Sequence, residues 1–108
     1  MDNFKIIYKI LKMLEKAMDY DEPDTSVISA DSLGISQNRW DAIMVMLQED
    51  GYVEGVHYVK TMGMKGVKLI NLRITLKGLE YLEENSFMKK AANIAKGITD
   101  LLPLHLLR

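Results

Sequence analysis

The chain has 108 residues, with 14 basic and 15 acidic side chains and a formal net charge of −1. That length suits one domain around a single hydrophobic core. With no cysteine it excludes disulfides, thiolate nucleophiles and cysteine zinc sites. The opening Met1-Asp2-Asn3-Phe4-Lys5 lacks the apolar core of a secretory leader, and no stretch approaches the roughly 18 apolar residues of a membrane span, so a cytoplasmic location is expected.

Residues 3–19 carry Ile7, Ile10, Leu11, Leu14, Ala17 and Met18 at helical spacing, which predicts an amphipathic helix. Lys5, Lys9, Lys12 and Lys16 repeat on another face, as a solvated surface or a phosphate-facing one. Asp21-Glu22-Pro23-Asp24 breaks the pattern, and Val27-Ile28 is expected to be a very short strand. Ser29 then caps a short helix that stops at Gly34, and Ser36 caps a second, running to about Asp50, with Trp40, Ile43, Met44 and Leu47 inward. Two helices joined by a glycine turn make a helix-turn-helix.

Two strands are expected next, Tyr52–Val59 and Val67–Ile74, with Ile70, Leu72 and Ile74 on one face of the second. Lys60 to Gly66, with two glycines, suits a longer, mobile hairpin loop. Its Met62 and Met64 read as ordinary loop residues or as adaptable contacts for a protein partner. Thr75 caps a helix ending near Asn85, and Ser86 opens a last helix that Pro103 stops. The predicted fold is therefore α+β and mostly helical: a winged helix-turn-helix domain over 1–86, with a β-hairpin wing, followed by an extra C-terminal helix and tail over 87–108.

At this point the chain resembles the YjcQ family of small winged-helix proteins of Gram-positive bacteria and their phages. The likeness is carried by Phe4-Lys5-Ile6-Ile7-Tyr8-Lys9-Ile10-Leu11, by Ile28–Ser36, and by Ile74–Asn85 running into Met88-Lys89-Lys90-Ala91. It implies the winged-helix fold and a bacterial or phage setting. DNA binding in that family is an inference from the fold, and there are no catalytic residues to carry over.

No residue pattern points to catalysis. His57 and His105 are the only histidines, too few for a zinc site without cysteine, and the glycines of the hairpin do not sit between a strand and a helix as a phosphate loop requires. The serines fall where caps and turns belong. The chain is read as a non-enzyme without metal, cofactor, small-molecule ligand or membrane partner.

Charge distribution says more than net charge. From Asp21 to Ile35 there are four acids and no base; from Lys60 to Lys77 there are five bases and no acid. On the DNA reading, the helix from Ser36 enters the major groove, where Gln37, Asn38 and Arg39 reach base edges. Ser36, Lys60, Lys65, Lys68 and Arg73 would meet phosphates. Asp41, Glu49 and Asp50 weigh against it. On the competing reading, Ala91, Ile94, Ala95, Ile98, Leu101 and Leu102 form an apolar stripe that either packs on the domain in cis or joins two copies as a homodimer, or the domain engages a host or phage protein.

Overall fold

The computed structural model describes residues 2–89. The first helix, α1 (Asn3–Ala17), starts where the Asp2 carboxylate accepts from the Phe4 N–H at 2.8 Å. It buries Ile6, Tyr8, Ile10, Leu11, Met13, Leu14 and Ala17. This is a wider face than the spacing predicts, because α1 packs against the hairpin and the last helices together. Met18 lies past the helix end and is exposed.

The expected strand at Val27-Ile28 is absent. Residues Thr25–Val27 form a 3-10 turn instead. The Asp24 carboxylate accepts from the Ser26 N–H at 3.2 Å, and the Ser32 hydroxyl donates to the Val27 carbonyl. Side chains thus engage the backbone that a strand would need.

The helix-turn-helix forms as the caps predict. Ser29 and Ser32 bond reciprocally to each other's N–H at the start of α2 (Ala30–Leu33). Gly34 ends it at φ 70°, and the Ser36 hydroxyl accepts from Arg39 N–H at 3.1 Å to open α3 (Gln37–Glu49). Trp40, Ile43, Met44 and Leu47 enter the core. Each fully buried side chain of this size stabilises by about 1.5–3 kcal/mol.

Strands β1 (Val53–Thr61) and β2 (Met64–Ile74) pair antiparallel up to Thr61↔Met64. The long mobile loop expected over 60–66 is therefore a two-residue turn, Met62-Gly63, and Lys60 and Lys65 belong to the ladder. Both turn residues have positive φ, 47° and 81°, which matches the strand twist as a type I′ turn does.

A bulge divides the hairpin. Glu54 pairs with Arg73 but Val56 pairs with Leu69, so Gly55 alone faces Ile70, Asn71 and Leu72. Gly55 has φ 99°, and a Cβ there would lie 2.5 Å from the Ile70 carbonyl oxygen; Asn71 takes φ 52°. The bulge reverses the alternation. Near the domain Val53, Leu72 and Ile74 are buried; beyond it Val56, Val67 and Leu69 turn inward, and Ile70, expected inside, is 47% exposed.

The hairpin base is locked to α3 and to α4 (Leu76–Glu84). Thr75 caps α4 by accepting from Gly78 N–H at 3.1 Å, and its hydroxyl donates to the Gly51 carbonyl at 2.5 Å. Lys77 donates to the Asp50 carbonyl at 2.8 Å, at the C-terminal end of α3, and lies 4.9 Å from the Tyr52 ring centroid. Ser86–Lys89 form a 3-10 turn where the extra C-terminal helix was expected to start, and the rest of that helix lies outside the described residues. Two helices joined at a glycine turn, then a two-stranded hairpin, then α4, make an α+β, mostly helical fold compatible with a winged helix.

Candidate nucleic-acid interface

Opposite its buried stripe, α3 presents Asn38, Ala42, Val45 and Glu49. The Gln48 side-chain oxygen accepts from the Val56 N–H at 2.9 Å, tying β1 to α3 just past the bulge. The reversed alternation then leans the hairpin over the outer face of α3. Asn38, Asp41, Ala42, Val45, Glu49, Tyr58 and Lys65 line an open groove of about 580 Å³. Ala42, Val45 and the half-exposed Tyr58 make its apolar lining, and Asp41, Glu49 and Lys65 charge it.

The residues expected to touch bases are all exposed, but they differ in freedom. Asn38 lines the groove. Gln37 donates to Asp41 Oδ1 at 2.9 Å, which holds both side chains along the helix. Arg39 is outside the groove lining and forms no ion pair among the described residues. The Ser36 hydroxyl is already the cap of α3, so a phosphate here would meet it only as a donor.

The basic run separates into two groups. Lys60 and Lys65 face each other directly across the hairpin, and Lys68 faces His57. All three lysines are exposed, and none forms an ion pair among the described residues. Like charges opposed in this way destabilise a hairpin by some tenths of a kcal/mol. Lys65 and Lys68 also line a shallow hollow with Val59, Gly66 and Val67. By contrast, Arg73 reaches Glu54 Oε2 through Nε at 2.7 Å and a terminal nitrogen at 2.6 Å, and Lys77 is spent on α3 and Tyr52. The structure therefore brings Asn38 and Lys65 together, sets Lys60 across the hairpin from Lys65, places Lys68 on the opposite face of the hairpin, and holds Arg73 in an ion pair.

Sequence reasoning missed Ala42, Val45 and Tyr58. The first two were legible as small apolar residues on the outer side of an otherwise amphipathic helix. Tyr58 depends on the bulge. Among the described residues two groups have displaced pKa values: the bond to Glu15 raises that of Lys12, and burial raises that of the Tyr81 hydroxyl. Neither lines the groove. Among the described residues no three His, Asp or Glu side chains gather as metal ligands, and no helix is long and apolar enough to cross a membrane. Ala91, Ile94, Ala95, Ile98, Leu101 and Leu102, the expected dimer contacts, lie outside the described residues.

Residues 8–101 match the family model described as YjcQ protein. The chain belongs to the YjcQ family. It is similar to the protein named "Uncharacterized protein YjcQ" of Bacillus subtilis (strain 168), with 28% identity over 100 residues, covering 93% of this chain and 97% of that relative. No solved structure gives a significant match.

Proposed function

We propose that this YjcQ-family chain is a cytoplasmic, non-enzymatic DNA-binding protein, a bacterial or phage transcriptional regulator that docks α3 in the major groove and the hairpin on adjacent phosphates. One observation carries the reading: the opposed, unpaired Lys60 and Lys65, with Lys65 sharing a groove with Asn38 at the start of α3. A duplex supplies the anions that relieve the lysine opposition, and phosphate attraction supplies most non-specific affinity. Asn38 has the donor and acceptor to read adenine, Arg39 the fork to read guanine, and Ala42 a methyl to meet thymine. Asp41 accepts from the Gln37 amide but keeps its negative charge, and with Glu49 it weighs against close phosphate approach inside the groove itself. Asp41 and Glu49 stand eight residues apart on one helix, about 12 Å along its axis, which is too far for a concerted acid/base pair.

Titration of labelled duplex by fluorescence anisotropy at two salt concentrations tests the reading. Affinity should fall steeply with salt. Lys65→Ala should weaken all sequences about equally and flatten the salt slope by roughly one, whereas Arg39→Ala should change sequence preference. An affinity indifferent to salt, or none at low salt, would reject the proposal.

A second reading rests on the same groove. Its apolar lining with Asp41 and Glu49 suits a protein segment carrying a basic residue beside an apolar one. The homodimer through the C-terminal stripe belongs with it. Solution mass of the full-length chain tests the dimer, and retention of partner binding in a Lys60→Ala/Lys65→Ala variant separates a protein partner from DNA.

A further inference from the structure

We propose that Met62, at the tip of the hairpin, is an apolar wedge that enters the minor groove of duplex DNA while the lysines below it hold the flanking phosphates. This rests on the DNA-binding reading above and adds a residue that shapes the DNA.

The first observation is exposure. Met62 is 99% exposed, so its side chain contributes nothing to the packing of its own domain. The second is the backbone. Met62 holds φ 47° at the first position of a type I′ turn, where asparagine, aspartate or glycine sits with least strain, and Gly63 supplies the second position. The chain therefore places a long apolar side chain where turn chemistry asks for a small polar one. Neither folding nor solubility accounts for it.

The third observation is the setting. Lys60 and Lys65 face each other just below the Thr61↔Met64 closing pair, with Lys68 further along β2. Between Glu54 and Glu80 the sequence holds no carboxylate. An apolar point thus stands on a purely cationic stem. Proteins that kink DNA from the minor groove insert methionine, leucine or phenylalanine between base steps, with basic side chains around the wedge. An anionic bilayer would attract the same stem, but one thioether side chain is a poor anchor, since stable membrane attachment takes a larger apolar face or a second signal.

The test uses the full-length chain and an A·T-rich duplex with a fluorophore pair at its ends, so that anisotropy reads affinity and energy transfer reads bending. The wild type should bind the duplex and shorten its end-to-end distance. Met62→Asn suits the turn and should melt at the same temperature or higher, keep the salt slope, bind roughly tenfold more weakly and leave the duplex straight. Met62→Leu should bend DNA as the wild type does. Equal affinity and bending by Met62→Asn overturns the wedge and leaves the DNA reading standing. So does loss of bending by Met62→Leu, which would show that apolarity is not the property used. A wild type that binds no duplex overturns both readings. Met62-dependent sedimentation with phosphatidylserine vesicles, together with Met62-independent duplex binding, assigns the tip to a membrane and overturns the wedge.

Discussion

Two surfaces of this molecule carry lysines in series, and they are arranged for different ends. Along α1, Lys12 meets Glu15 at 2.7 Å and Lys16 meets Asp19 at 3.4 Å, each one turn on along the chain. Along the hairpin, Lys60 and Lys65 are set against each other and Lys68 against His57, with no acid between Glu54 and Glu80 to compensate. The first pattern is what a solvated helix does with charge: local pairs worth a few tenths of a kcal/mol each. The second leaves charge uncompensated on a projecting element. Counting lysines cannot separate the two. The position of the carboxylates can.

The sharpest way to break the comparison is to invert charge on each surface. On the proposed DNA reading, Lys60→Glu/Lys65→Glu should lower duplex affinity at low salt by about a hundredfold, since two proposed phosphate contacts become two repulsions. Lys12→Glu/Lys16→Glu on α1 should change the affinity of the folded fraction by less than about threefold, judged by the same anisotropy titration. Comparable losses in the two variants would place α1 on the DNA side and undo the distinction. The single Lys60→Glu should also separate stability from function. It turns a like-charge pair into an opposite one, so urea unfolding should show an unchanged or slightly higher midpoint while affinity drops.

The next effect concerns what holds the wing over α3. Gly55→Ala puts a methyl 2.5 Å from the Ile70 carbonyl oxygen at a φ of 99°. It should cost about 1–3 kcal/mol in urea denaturation. Because the bulge aims Tyr58 and Lys65 at α3, the folded fraction should also bind duplex more weakly. Thr75→Ala removes the α4 cap and the bond to the Gly51 carbonyl. It should cost about 1–2 kcal/mol but leave duplex affinity per folded molecule unchanged.

Most of the fold was legible because local chemistry dictates it. Ser29, Gly34, Ser36 and Thr75 each cap or stop a helix where their types predict, and the inward stripe of α3 follows from spacing alone. The hairpin was legible in existence but not in form. Two glycines among seven residues suggest a loose loop, yet only Gly63 is in the turn, and Gly66 lies in the ladder opposite Val59. The bulge was illegible because it depends on how Gly55 meets three residues fifteen or more positions away, and the periodicity of Ile70, Leu72 and Ile74 argues against it. The site inherits both limits. Asn38 and Lys65 were predicted separately, but their meeting across one groove is a consequence of the bulge. The pairing of Arg73 with Glu54 needs the strand register, and no linear pattern of charges contains it.

The smallest effect tests the other side of the comparison, the claim that the α1 lysines serve their own helix. The Lys12 pKa is raised above its ordinary value of 10.5, first by the bond to Glu15. A base held more tightly protonated in the folded chain adds stability that is fully present below the unfolded pKa and disappears as pH rises through the folded one. Lys12→Gln should therefore lower stability by a few tenths of a kcal/mol at neutral pH. The deficit should hold up to about pH 10 and close above it. Urea titrations of the two proteins across that window measure it. A deficit that instead grows with pH would mean that Lys12 is destabilised by its burial more than it is held by Glu15. The pairing on α1 would then be incidental, and the contrast with the hairpin would rest on the wing lysines alone.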